Sequence, residues 1–278
     1  MGFGVEYGLP LVLQAFDDGR LFGARHGTGL PWVLALHGWR RTNADFDGVL
    51  APAGVTPIDA IALDLPGFGA TPDPSVATGA AGYAEAVVPV LRSMVEARGG
   101  PAVVIGHSFG GRVAVHLGAK YPELVGALVL TGVPLFRPQG TTAPKPKAGY
   151  RLARFLHGKG LMSDARMEAL RKKYGSADYA AASGVMRQVN VAVVNEDYRP
   201  QLRALACPVE LVWGDDDTAA PLAIATEALG LLAEGRGHLT VLSAAGHLAP
   251  LTAPAALTDA LLRHRPAAAA PDGQVEAR

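Results

Sequence analysis

Short runs of β-branched and aliphatic residues recur along the chain, each closed by Gly, Pro or a polar residue, and this punctuation predicts strands. The runs lie at 11–16, 21–25, 32–36, 58–63, 102–105, 127–130, 209–213 and 238–242. Asp17-Asp18-Gly19-Arg20 separates the first two as a hairpin turn. Most of the other intervals hold apolar residues at helical spacing. In 83–97 these are Val87, Val88, Leu91 and Val95, and 109–120 follows a strand directly and stops before Pro122. Stretches 221–233 and 257–263 supply later helices. Strand and helix in alternation predict an α/β fold, a mostly parallel eight-stranded sheet with helices on both faces. The hairpin adds antiparallel strands at one edge.

The alternation breaks from Pro134 to Arg199, where helical patches at 150–156 and 164–174 occur without a strand. Ser163 is placed to N-cap the second patch. Pro138, Gly140, Pro144 and Pro146 form a hinge-like entry. The expected organisation is a core of 1–133 and 200–265 carrying an inserted helical cap, 134–199. Residues 266–278 are Ala- and Pro-rich without periodicity and read as a frayed tail.

Composition narrows the function classes. With 278 residues, 49% of them hydrophobic, the chain is able to bury a large core. It balances 25 basic against 25 acidic residues, which gives nucleic acid or an anionic membrane no global attraction. The first residues lack a secretory pattern, and no apolar run approaches the roughly 20 residues of an integral membrane segment. Cys207 is the single cysteine, so no internal disulfide is expected. A cytoplasmic protein is the expectation, and no oligomeric state is selected.

The strongest chemical signal is Gly106-His107-Ser108-Phe109-Gly110, set directly between a strand and a helix. A sharp turn there pushes the serine hydroxyl out of the sheet and holds its backbone under strain. Strand and helix then pass so closely that side chains at Gly106 or Gly110 would collide. The N-terminus of the next helix favours a developing negative charge. A dinucleotide-binding turn would need glycine where Ser108 stands.

At these residues the chain resembles the α/β-hydrolase superfamily, over about Leu11 to His264. The resemblance implies a nucleophile, an acid and a base in that chain order. His247, in Ala245-Gly246-His247 after the last strand, is placed to take the Ser108 proton and return one to the leaving group. The acid belongs on Gly214-Asp215-Asp216-Asp217, where the residue types alone leave three choices. The superfamily pattern Trp-Gly-x-x-Asp-x-x-x-Pro fits Trp213, Gly214, Asp217 and Pro221, and so implies Asp217; Asp215 and Asp216 read as loop formers. His37-Gly38-Trp39 resembles the superfamily's oxyanion loop. It implies backbone N–H donors at Trp39 and Phe109, with the Trp39 side chain lining an acyl pocket.

His37 and His107 read as supports for the turns beside the site. His116 reads as structural, and His26, His157, His238 and His264 as packing or surface residues. The turn Asp64-Leu65-Pro66-Gly67-Phe68-Gly69 and Cys207 read as structural. Ser108 separates the chain from relatives with an aspartate nucleophile. No close His/Asp/Glu cluster has metal-ligand spacing, so neither metal nor cofactor is expected.

Residues 134–199 hold twelve Lys or Arg against five acids. A solvated helical surface facing an acidic core accounts for this surplus. The alternative is attraction of an anionic substrate or an acidic carrier protein, and the Trp39 loop with a basic cap is similar to methyl esterases acting on carrier-held acyl groups. The leading expectation is hydrolysis of an ester or related small-molecule acyl substrate. Carbon–carbon bond hydrolysis, acyl transfer or lyase chemistry on the same triad, and a non-catalytic ligand receptor, stand as alternatives.

Overall fold

A computed structural model describes residues 12–136, 148–174 and 177–266. The strands are β1 (Leu13–Phe16), β2 (Leu21–His26), β3 (Val33–Leu36), β4 (Ala60–Asp64), β5 (Ala102–His107), β6 (Val125–Thr131), β7 (Val209–Gly214) and β8 (Gly237–Leu242). They form one sheet in the order β1-β2-β4-β3-β5-β6-β7-β8. β2 runs antiparallel to β1 and β4, and the other pairings are parallel. The predicted runs are these strands with shifted ends; Leu11 lies outside the described residues.

The helices in chain order are α1 (Asp47–Leu50), α2 (Ala80–Arg98), α3 (Phe109–Lys120), α4 (Ala148–Gly158), α5 (Asp164–Tyr174) and α6 (Ala177–Ala181). Then follow α7 (Gly184–Val193), α8 (Arg199–Ala204), α9 (Leu222–Leu229), α10 (Ala249–Thr252) and α11 (Pro254–Leu262). Side chains alternate faces along each strand. Leu34, Leu36, Leu63, Val104, Leu128, Leu130 and Leu211 bury on the side of α2 and α3. Val33, Ala35, Ala62, Val103, Ile105, Val129 and Val212 bury on the side of α1 and α11, with Val49, Leu50, Leu257 and Leu261. Each fully buried Val, Leu or Ile side chain is worth roughly 1.5–3 kcal/mol. A one-residue slip would exchange the two faces, so register is strongly held.

Two helical expectations need adjustment. The predicted helix 221–233 stops at Leu229, because Gly230 follows and tight turns take over, with Leu231 N donating to Ala228 O. Helix α7 was not predicted, although Met186, Val189, Asn190 and Val193 form its buried stripe at helical spacing. Asn190 interrupts the apolar pattern and hides it. Ser163 does meet the start of α5, accepting from Arg166 N at 3.4 Å. Pro138, Gly140, Pro144, Pro146 and everything beyond Pro266 lie outside the described residues. No described helix is long and apolar enough to cross a membrane. Cys207 is buried, and burial pushes its thiol pKa up.

His26 ends β2 with its ring enclosed. Its Nε2 stands 3.7 Å from Asp47 Oδ1, outside good hydrogen-bond range, and neither ring nitrogen has a partner among the described residues. Burial pulls its pKa down to about 4. His107 is also held at about 4, again chiefly by burial. Between pH 6.5 and 4 the unfolded chain therefore binds more protons than the folded one, and stability falls as the pH drops through that window. The slope approaches ~1.4 kcal/mol per pH unit for each such histidine. Thermal melts from pH 7 downward should show a falling Tm, and His26→Leu should flatten the slope by about one proton's share. An identical slope in the variant would assign the acid sensitivity to other groups.

Candidate active site

β5 ends at His107 and α3 begins at Phe109, so Ser108 alone reverses the chain, at φ 49° and ψ −110°. A non-glycine residue at positive φ is strained by about 1–3 kcal/mol and needs its surroundings to hold it. Ser108 N donates to Thr131 O at the end of β6, and Gly110 N donates to His37 O after β3, both at 3.0 Å. A Cβ on Gly106 would stand 2.5 Å from Gly111 Cα, and one on Gly110 would stand 2.0 Å from Leu36 O. The turn closes only with glycine at both places.

Strand order decides which loops meet here. β7 lies two strand spacings from β5, about 10 Å, and β8 one further. The loop after β8 carries His247 back toward Ser108. His247 Nε2 is 3.1 Å from Ser108 Oγ, and its Nδ1 is 2.9 Å from Asp217 Oδ2 and 3.1 Å from Oδ1. Asp217 Oδ1 also accepts from Ala219 N at 2.9 Å and Ala220 N at 2.8 Å. Trp213 braces this loop by donating Nε1 to Ala220 O at 2.7 Å. Burial alone would raise the Asp217 pKa. The His247 ring and the Ala220 and Ala219 N–H groups outweigh it and hold the carboxyl below its usual range. Asp215 and Asp216 are exposed, and their N–H groups bond to Leu242 O and Ala245 O.

The N–H groups of Trp39 and Phe109 meet no protein acceptor among the described residues. Phe109 N is the first of α3, where a helix leaves its donors unused. Trp39 packs edge-on to Phe68 at 5.0 Å and to Phe109 at 5.4 Å, and Phe109 meets Tyr83 at 4.8 Å. Beside this cluster lies a cavity of about 230 Å³, lined by Trp39, Arg40, Phe68, Ser183 and Met186 among others.

Two histidines brace the loops. His37 Nδ1 donates to Gly38 O at 2.7 Å, while its Nε2 accepts from Leu65 N at 3.0 Å. His107 Nε2 donates to the His247 carbonyl at 2.9 Å, since a carbonyl only accepts. The Asp64 carboxylate accepts from Asn43 N and Ala70 N, which holds the 64–70 turn. Elsewhere, His116 lies edge-on to Tyr198, His157 and His264 sit by Asp164 and Glu210, and His238 is exposed on β8.

Gly132 escaped the sequence reading. At φ 57° its Cα faces the acid–imidazole contact so closely that a Cβ would stand 3.1 Å from His247 Nδ1 and 3.2 Å from Asp217 Oδ2. The available signal was a lone glycine immediately after a strand.

The sequence model of the Alpha/beta hydrolase family matches residues 33–260, and the chain belongs to that family. A 2-hydroxy-6-oxononadienedioate/2-hydroxy-6-oxononatrienedioate hydrolase of Pseudomonas sp is 27% identical over 264 residues, spanning 84% of this chain and 88% of that protein. A pimeloyl-[acyl-carrier protein] methyl ester esterase of Aeromonas hydrophila subsp. hydrophila is 28% identical over 216 residues, 72% of this chain and 82% of that one. Among solved structures, an E-2-(acetamidomethylene)succinate hydrolase shares the fold with a TM-score of 0.64 and 23% identity, over 91% of this chain and 98% of that one.

Proposed function

We propose that this chain is a serine hydrolase that cleaves a carboxylic ester or related acyl substrate through an acyl-enzyme on Ser108. The observation that carries this reading is His247, whose two ring nitrogens reach Ser108 Oγ at 3.1 Å and Asp217 Oδ2 at 2.9 Å. A carboxylate only accepts hydrogen bonds, so Nδ1 holds the imidazole proton and Nε2 is left bare. Nε2 then takes the Ser108 proton as Oγ attacks the carbonyl carbon, and Asp217 stabilises the imidazolium. The oxyanion rests on the N–H groups of Trp39 and Phe109, the second aided by the α3 dipole. His247 returns the proton to the leaving group and then activates the water that releases the acyl group.

In this reading residues 134–199 form a helical cap on a core of 1–133 and 200–265. Met186 of α7 supports the arrangement, since it packs so tightly on Gly67 that a Cβ there would stand 2.3 Å from its sulfur. The buried thiol of Cys207 suits a reducing compartment, the cytoplasm.

Carbon–carbon bond hydrolysis is the second reading, favoured by the relative named for an oxo-dienedioate. Exposed Arg151, Arg154, Lys159 and Arg166 pair with no carboxylate among the described residues, which suits an anionic substrate or a carrier-held acyl group under either chemistry. A series of p-nitrophenyl esters, neutral and carboxylate-bearing, run beside a vinylogous diketone acid tests both readings. Ester turnover is expected, with kcat/KM for the charged members falling several-fold as salt rises from about 0.05 to 0.5 M. Cleavage of the diketone alone would move the chemistry to carbon–carbon hydrolysis. Equal salt responses for neutral and charged esters would remove the electrostatic part.

A further inference from the structure

Arg112 lies one helical turn beyond Ser108 on α3 and is only 9% exposed. Its backbone N–H donates to Ser108 O at 3.3 Å, and its side chain makes no hydrogen bond to Ser108, Asp217 or His247 among the described residues. Its Nε donates to Pro134 O at 3.0 Å, and its Nη1 donates to Val193 O at 2.8 Å. Pro134 stands where the chain leaves β6 for the helical insertion, and Val193 closes α7, where the insertion returns. A single guanidinium thus holds both stems.

Further links complete the junction. Tyr198 N donates to Leu135 O at 3.0 Å, joining stem to stem. The Glu196 carboxylate accepts from Ala80 N at the start of α2, 3.2 Å away, and from the Tyr198 hydroxyl. The Tyr198 ring lies 5.8 Å from the Arg112 guanidinium carbon. A cavity of about 440 Å³ opens beside the junction, walled by Arg112, Pro134, Phe136, Asn195, Glu196 and Ile224 among others. The stems themselves are packed, since Leu135, Val193 and Tyr198 are buried in the core, and the hydrogen-bonded junction forms one wall of this cavity. A buried cation is costly unless its donors are taken up, and a planar guanidinium holds Nε–H and Nη1–H in fixed, divergent directions, one toward each carbonyl.

We propose that Arg112 is a positioning residue that clamps both stems of the insertion to the serine-bearing helix and so sets the seat of the cap over Ser108. The inference rests on the reading of 134–199 as the cap of a Ser108 hydrolase. Arg112→Met keeps the length and removes the donors, whereas Arg112→Lys keeps the charge without the fork.

Amide hydrogen exchange at Glu196 and Tyr198 should quicken about tenfold or more in Arg112→Met, while amides of β3 and β5 keep their wild-type rates. Fluorophosphonate labelling of Ser108 should stay within about threefold of wild type. For a long-chain acyl ester KM should rise about tenfold with kcat within threefold, and a short acetyl ester should be spared. Arg112→Lys should restore part of the stem protection, and it carries the same measurement if Arg112→Met does not fold. Unchanged stem exchange, or a quickening spread evenly over the sheet, would overturn the clamp. So would equal KM losses on the long and short esters. If wild type neither hydrolyses an ester nor takes the fluorophosphonate, the hydrolase reading fails by itself, and stem exchange still decides the clamp.

Discussion

Ser108→Ala is expected to lower kcat on any ester the wild type turns over by about 10⁵-fold or more, with the protein still folded. Loss of the nucleophile removes the covalent route, and only binding and oxyanion stabilisation remain, together worth about 10³–10⁴ over water. The substitution is nearly neutral to structure. Ser108 Oγ makes its hydrogen bond to His247, at 3.1 Å, and the backbone at φ 49° is held by Thr131 and its glycine neighbours rather than by the hydroxyl. Tm should move by a few degrees at most, and covalent labelling by a fluorophosphonate should disappear. A folded Ser108→Ala protein retaining more than about 1% of wild-type turnover would sink the assignment.

Asp217→Asn should cost about 10⁴-fold in kcat, and the geometry says why. Oδ1 accepts two N–H groups, from Ala219 and Ala220. An asparagine keeps its carbonyl oxygen there and turns its NH₂ toward His247 Nδ1. That donor selects the imidazole tautomer with Nδ1 bare and Nε2 protonated, and Nε2 then has no lone pair for the Ser108 proton. Asp215→Asn and Asp216→Asn, at exposed positions, should each stay within about threefold of wild type. Steady-state kinetics on the three variants ranks the carboxylates directly; a large loss at position 215 or 216 with little at 217 would reassign the acid. The same carboxyl has a pH signature. Its folded pKa lies below the ordinary 3.8, so the stability it contributes is complete above that value and is lost as pH falls through the folded value. Wild type and Asp217→Asn should therefore converge in stability only in strong acid.

The features legible in the chain are those whose cause is local. Short, near-continuous aliphatic runs closed by glycine, proline or a polar residue mark the strands, because a strand buried on both faces needs little else. The turn around Ser108 is legible because strand, glycine, serine, glycine and helix follow one another without a gap, and the close approach that demands glycine at 106 arises within five residues, although the one at Gly110 is against Leu36 of β3. His247 stands out for a similar reason, as a histidine on a short loop after the last strand. Helices α7 and α8 escape that reading, since a ten-residue stripe carrying Asn190 and a six-residue helix opening on Arg199-Pro200 have weak periodicity, and packing on the core completes them.

By itself the sequence determined the strands of the sheet, its flanking helices and the serine turn, because hydrophobic patterning and backbone sterics act over a few residues. Only the tertiary structure decided which of three adjacent aspartates is buried against His247, how close Gly132 comes to that contact, and that Arg112 reaches two carbonyls about 60 residues apart in the chain. Those facts depend on strand order and loop path. Neither is written in the spacing of neighbouring residues, since each arises from contacts between segments far apart in the chain.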